Sequence, residues 1–483
     1  MRQVNLIYER SVPGRKGCTL PDTVKKKPEI LAAIPAKFHR GAPAALPEVT
    51  EGEAMRHFVG LSVKNHHIDK GFYPLGSCTM KYNPRLNDQA ASMDGFTAHH
   101  PLAPCSSARG ILRLMWDLSD YLSEVSGFAA VSLQPVAGAH GEFAGLLIMR
   151  ACHEHNGQKR NKIIIPDSAH GTNPASVTSV GFQSVQVKSN DKGVIPPEAV
   201  AEVMDDEVAG MMLTNPNTLG IFETHIKEIA DIVHQAGGLM YMDGANLNAN
   251  MGIFRPGEVG FDIMHFNLHK TFSTPHGGGG PGAGAIGVTA ELEKFLPFPV
   301  LEKDDKGQLF FSYDRPYSIG RLHSFYGNFA NIVRAYAYIR TLGGSGLRRV
   351  SENAVLNANY LKVLLKDEFE LPYDVHCMHE FVISGNRQKA VGVKTLDISK
   401  RLLDFGVHPP TNYFPLIVPE AMMIEPTETE SRETLDYFAT VMKQIAAEVK
   451  DNPELVTSAP HSTPVRRLDE VGAARNLDVA YPE

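Results

Sequence analysis

Apolar positions along this chain change their period as the chain proceeds. From Ser107 onward, Ile111, Met115, Leu118, Leu122 and Val125 recur at alternating spacings of four and three, the stripe of an amphipathic helix, and Gly127 closes it. Past Gly127 the apolar residues collect into short runs of strand length, at 130–133, 162–165, 184–187, 211–213, 239–242 and 262–266. Helical stretches at 142–153 and 224–235 lie between them, the second ended by Gly237 and Gly238. Strands that alternate with helices predict an α/β fold whose mostly parallel sheet is flanked by helices. After a helix-like stretch at 328–340, strands at 381–384 and 422–425 and helices at 396–405 and 433–449 predict a smaller C-terminal α/β domain. Residues 1–75 are rich in Pro and basic residues and only weakly periodic, so they read as an extended arm. The expected organisation is an arm (1–75), a large domain (76–340), a small domain (341–451) and a tail (452–483) that carries Pro460, Pro464 and Pro482.

Composition narrows the function classes. A chain of 483 residues exceeds what one hydrophobic core supports, and 43% hydrophobic with 21% charged residues is ordinary for a globular protein. The formal net charge of −7 and the lack of a long Lys/Arg run argue against a nucleic-acid partner. The longest apolar runs, such as 143–149, are too short to span a bilayer, and the first residues show no apolar signal segment. Five scattered cysteines without a CxxC pair read as reduced thiols, and the expected location is cytoplasmic.

Ligands of open α/β sheets bind beyond the carboxyl ends of the strands, so the residues that follow each run carry the candidate chemistry. The run at 239–242 leads into Asp243-Gly244-Ala245-Asn246, and the next into Asn267-Leu268-His269-Lys270-Thr271. A carboxylate and a lysine at neighbouring strand ends are the pair that pyridoxal 5'-phosphate requires. The lysine forms an imine with the cofactor aldehyde, and the carboxylate keeps the pyridine nitrogen protonated, so that the ring accepts electrons. Ala137, Gly138 and Ala139 precede a helix and let backbone N–H groups approach a phosphate. His170, in Ser168-Ala169-His170-Gly171, is placed to lie over a ring. Asn215 offers an amide to the phenolic oxygen, and His269 is placed to reach the phosphate or orient the lysine.

Other motifs carry less. Gly282 to Gly287 spells GxGxxG, but a Gly/Pro run at 277–281 precedes it and a strand overlaps its end, so a dinucleotide site is rejected. The pairs His66-His67 and His99-His100 lack the spacing of a metal site, and no metal is expected. Thr427-Glu428-Thr429-Glu430 reads as a capping box that opens the last long helix.

Four segments together closely resemble the P-protein of the glycine cleavage system: Gly71 to Pro84 (GFYPLGSCTMKYNP), Ser168 to Ser176 (SAHGTNPAS), Met242 to Asn246 (MDGAN) and Asn267 to Gly282 (NLHKTFSTPHGGGGPG). The resemblance extends from the ERSVPGR arm to Pro464 and Glu470, and chain length points to the C-terminal-half subunit, subunit 2, of the split form. It implies a fold-type-I pyridoxal-phosphate enzyme that decarboxylates glycine and transfers the aminomethyl group to the oxidised lipoyl arm of H-protein. It also implies an α2β2 assembly with P-protein subunit 1. Lys270 would be the imine lysine, with Asp243 and His170 in the roles given above. Ser77, Cys78 and Tyr82 are candidates for the substrate carboxylate, with a buried structural role as the alternative for Cys78. Another pyridoxal-phosphate decarboxylase, aldolase or aminotransferase, or a silent scaffold subunit, are the alternatives, and the motif at 71–84 and the C-terminal motif discriminate against the first group.

Overall fold

The computed structural model describes residues 5–19, 21, 24–42, 44–277, 282–324 and 326–480. The chain divides into two compact units, Met1–Gly71 and Phe72–Glu483. The first contains short helices, among them Lys27–Ala32 and Glu51–Ser62. The second of these begins with a reciprocal cap. The Thr50 hydroxyl accepts the Glu53 N–H, and the Glu53 carboxylate accepts the Thr50 N–H. The arm expected from weak periodicity therefore includes regular helix. Its apolar Met55, Phe58 and Val59 are exposed, which blurred the stripe that marks a buried face.

In the second unit, β1 (Ala130–Ser132), β2 (Lys162–Pro166), β3 (Gln183–Val187), β4 (Val208–Thr214), β5 (Leu239–Gly244), β6 (Ile263–Asn267) and β7 (Gly284–Val288) form one sheet. Its order is β1-β7-β6-β5-β4-β2-β3. The pairs β2–β3, β2–β4, β4–β5 and β5–β6 are parallel, and β7 runs antiparallel to both β1 and β6. The six expected strands are all present, and the GxGxxG segment is mostly strand β7 instead of the start of a helix; 278–281 of the glycine run lie outside the described residues. Strands β2 and β4 to β7 are buried almost throughout, as a parallel sheet covered on both faces demands. One covering helix is Arg109–Ser126, whose Leu112, Met115, Leu118 and Leu122 are fully buried and whose end is the left-handed Gly127 (φ 80°). Gly210 shows how close the strands pack, because a Cβ there would lie 2.0 Å from the Leu239 carbonyl oxygen.

A two-stranded hairpin, β8 (Val300–Lys303) and β9 (Leu309–Ser312), follows. The next helix runs from Phe329 to Leu365 and is broken at Gly343, whose φ of 61° and ψ of −179° leave the helical region. Beyond it, β10 (Phe381–Ser384), β11 (Thr411–Asn412) and β12 (Ala421–Ile424) make a three-stranded antiparallel sheet. It shares a core with helices Thr395–Asp404 and Arg432–Asp451, through Ile383, Ile398, Leu402, Met422, Phe438 and Met442. The last long helix is not opened by Thr427–Glu430 as expected. Its N-cap is Ser431, whose hydroxyl accepts the Thr434 N–H, while the Glu428 carboxylate is drawn 2.7 Å from buried Lys81.

Candidate active site

Strand register builds the floor of the site. Thr214 pairs with Asp243 between β4 and β5, and Asp243 pairs with His265 between β5 and β6, so three polar side chains stand in one row at the carboxyl edge of the sheet. The buried Asp243 accepts hydrogen bonds from Asn173 Nδ2 (3.0 Å) and the Ala245 N–H (3.0 Å), and His265 Nε2 lies 3.3 Å from its Oδ1. Burial alone would raise its pKa. The His265 ring, the Asn173 bond and the charge of Lys270 outweigh that, and hold the carboxyl below the usual carboxylate range. Behind it, His265 Nδ1 lies 3.0 Å from the Tyr241 hydroxyl, which reaches the Gly141 carbonyl (3.2 Å).

Above this row is a cavity of about 210 Å³, lined among others by Ser77, Gly138, Ala139, His170, Asp243 and Lys270. Lys270 stands three residues beyond β6 and donates from Nζ to the Ser77 carbonyl (2.7 Å). Gly138 opens the Gly138–His155 helix, whose N-cap Ala137 supplies no side-chain cap. Its first N–H groups are a ready anion site. Glycine at 138 leaves room for the Asn267 amide, which a Cβ would meet at 2.6 Å. His170 follows β2. Its Nδ1 is 2.9 Å from the Thr172 hydroxyl, which in turn donates to Glu142 (2.7 Å). Burial chiefly, aided by Lys270 and His265 against the opposing Asp243 and Glu142, lowers the His170 pKa, and a neutral ring suits stacking. His269 also lines the cavity, with Nδ1 2.9 Å from the Ala283 carbonyl; burial and His276 push its pKa down to about 4.

Not every candidate residue faces this cavity. Ala137 acts as the N-cap and is not a lining residue; Gly138 and Ala139 are. Asn215 lies beneath the wall. Its Oδ1 accepts the Glu223 N–H (3.0 Å), and its neighbours Thr214 and Pro216 line the cavity in its place. Of the three candidates at 77–82, only Ser77 lines it. Cys78 is half-buried, with its carbonyl 2.8 Å from His276 Nε2. Tyr82 is 41% exposed, because Lys81 takes the inward position beside it.

Sequence reasoning missed His265 and two carboxylates. Glu380 precedes β10 and Glu425 follows β12, and both are buried; Glu380 lines the cavity. The segment before Ser77 runs along β12, with Leu75 bridging Ile424 and Glu425 N–H donating to the Pro74 carbonyl (3.2 Å). This carries the motif at 71–84 into the site. The signal for the carboxylates was their position flush against the apolar runs Phe381-Val382-Ile383 and Ala421 to Ile424, where a charged residue has no solvent to meet.

Among the described residues, Thr214 Oγ1 and Asn267 Oδ1 are buried without a hydrogen-bond partner, and both residues line the cavity beside Lys270, Asp243 and the helix N-terminus. An aldehyde-bearing pyridine with a phosphate tail is a ligand that uses all of these groups together. Residues 18–312 match the family described as glycine cleavage system P-protein, and residues 350–463 match the glycine dehydrogenase C-terminal domain. The chain belongs to the glycine cleavage system P-protein family. It is 57% identical over 479 residues to the probable glycine dehydrogenase (decarboxylating) subunit 2 of Chloroherpeton thalassium, covering 99% of this chain and 97% of that one. Identity to the protein of the same name from Caldanaerobacter subterraneus is 58% over 473 residues, 98% and 97% of the two chains. The fold is that of fold-type-I pyridoxal-phosphate enzymes. A glycine decarboxylase (P-protein) of the glycine cleavage system, in inhibitor-bound form, superposes with TM-score 0.73 at 20% identity over 87% of this chain and 95% of that one. Lactobacillus brevis glutamate decarboxylase superposes with TM-score 0.65 at 13% identity, over 86% and 97%. No helix among the described residues is long and apolar enough to cross a membrane.

Proposed function

We propose that this chain is the lysine-bearing subunit of a two-subunit, cytoplasmic glycine dehydrogenase. It decarboxylates glycine and transfers the aminomethyl group to the oxidised lipoyl arm of H-protein, with pyridoxal 5'-phosphate as cofactor. The observation that carries the reading is the placement of Lys270 and Asp243 on one cavity at the carboxyl ends of adjacent strands, in a chain of the P-protein family. Bound pyridoxal phosphate supplies an electron-accepting pyridinium to hold the electron pair that glycine's carboxylate leaves behind.

The chain's own residues do the rest. Lys270 would hold the cofactor, and the Ser77 carbonyl, which accepts its Nζ, orients the amine. Asp243, kept ionised by the groups around it, would face the pyridine nitrogen, and Asn173 and Ala245 fix its orientation. Gly138 and Ala139 would meet the phosphate with N–H groups, and His170 would cover one ring face. Thr214 Oγ1 supports the phenolic-oxygen role first assigned to Asn215. Burial of Asp243 and Glu380 keeps water from these groups, which strengthens each electrostatic contact.

The test is the mass of lipoylated H-protein after incubation with glycine, pyridoxal phosphate, subunit 1 and this chain. The lipoyl arm gains an aminomethyl group and a hydrogen with the wild-type chain and neither with Lys270→Ala. A Lys270→Ala chain that still modifies H-protein contradicts the assignment.

A further inference from the structure

Two carboxyls beside the cavity have no part in the chemistry described so far. Glu380 is 2% exposed and Glu425 1%. Glu380 Oε2 accepts the Ser77 N–H (2.6 Å), and the carbonyl of the same Ser77 accepts Lys270 Nζ. Glu425 accepts the Thr79 N–H (2.9 Å), the Thr79 hydroxyl (2.7 Å) and Asn248 Nδ2 (2.7 Å). Side-chain atoms of His379, Glu380 and Glu425 lie within 4.8 Å of one another.

Two buried carboxyls this close do not both ionise readily, and the negative charge settles where more donors meet it. Among the described residues Glu425 has three donors and Glu380 one, so Glu380, the member that lines the cavity, keeps the proton. Burial and the Glu425 charge push its pKa well above the usual carboxylate range against the Ser77 bond and Lys270, while Glu425 itself is raised less. The groups that face the pair from the surrounding elements are Lys270, Cys78, and His379, which burial and Lys270 keep neutral with a pKa near 3. Thr79, Asn246 and Asn248 complete the shell. Glu380 is also held in place by backbone. Met378 N–H donates to the Gly220 carbonyl (2.7 Å), and a Cβ on left-handed Gly220 would lie 1.9 Å from the Glu380 carbonyl oxygen.

We propose that Glu380 is the acid that protonates the sulfur leaving the lipoyl disulfide, with Glu425 as its proton-sharing partner. The inference rests on the reaction proposed above. In that reaction the bond from glycine's α-carbon to its carboxylate breaks, and CO2 departs. The same carbon bonds to one lipoyl sulfur and the S–S bond breaks, so the disulfide is reduced by the electron pair the carbon carried. The second sulfur keeps the S–S pair and takes up one proton, which Glu380 gives and water restores.

Infrared spectroscopy of the full-length chain, with and without 13C-labelled glutamate, tests the pair without any turnover. A protonated-carboxyl band is expected near neutral pH. Glu430 contributes to it as well, so the Glu380 share is what Glu380→Gln removes, and in Glu425→Gln the Glu380 share titrates away at lower pH, because the charge that opposed its ionisation is gone. In the assembled enzyme, Glu380→Gln, which still accepts the Ser77 N–H, is expected to slow aminomethyl transfer about a hundredfold. Cofactor occupancy should stay, and Glu380→Asp should recover part of the rate. Glu425→Gln should move the alkaline limb of the transfer rate down by about one pH unit or more. A band unchanged in Glu380→Gln, a wild-type transfer rate in that variant, or a divalent cation bound stoichiometrically to the cluster would overturn the proposal. Absence of aminomethyl transfer by the wild-type enzyme would instead overturn the reaction on which it rests, and the infrared result separates the two.

Discussion

At Asp243 the surroundings decide the chemistry. A buried carboxylate would ordinarily take up a proton, yet His265, Asn173 and Lys270 hold this one ionised. Asp243→Asn keeps the shape and one acceptor but removes the charge that would keep a pyridine nitrogen protonated. Glycine decarboxylation should fall roughly a hundredfold or more, with part of the cofactor retained. Near-normal turnover at full occupancy would break the pairing. Glu430 gives the opposite case and a stability test. Burial alone raises its pKa to about 7, so its ionisation costs the fold stability as pH rises from the ordinary carboxylate value through about 7. Glu430→Gln removes that cost. Thermal melts should show a gain at about pH 8 that disappears near pH 4, and a gain independent of pH would refute the cause.

At the scale of elements, the capping of the last helix shows how local motifs mislead. Thr427-Glu428-Thr429-Glu430 has the composition of a cap, but the hydroxyl that meets the helix N–H groups is that of Ser431. Ser431→Ala should destabilise the protein by about 1 kcal/mol in denaturant unfolding, and Thr427→Ala should leave the helix start intact. Equal loss of the Ser431 bond and no change in stability would argue that the cap is idle. The same contrast explains what was legible in the sequence. Six strands and the Arg109–Ser126 helix stand out because burial imposes a period that Ile111, Leu118 and Leu122 repeat. Lys270 and Asp243 stand out because strand ends are where such sheets bind ligands. Glu380, Glu425 and His265 do not, because their role depends on neighbours far along the chain: Ser77, Thr79 and the register of β5 with β6. Nor does the place of Thr214, and not Asn215, on the cavity wall, which depends on which way adjacent residues face at the end of β4.

At the scale of the whole molecule, the proposed reaction needs more than one cavity. The first unit leaves Met55, Phe58 and Val59 on its surface, and a lipoyl arm must be guided from outside to Lys270. On the proposed reaction, this chain is one half of an enzyme completed by subunit 1. The most direct measurement is the exchange of labelled bicarbonate into the carboxyl group of glycine, with pyridoxal phosphate and lipoylated H-protein present, as subunit 1 is titrated into a fixed amount of this chain. Exchange should be weak or absent for the chain alone, rise with added subunit 1, and level off at one equivalent. Full exchange by the chain alone, unchanged by subunit 1, or no exchange at any ratio, would contradict the account.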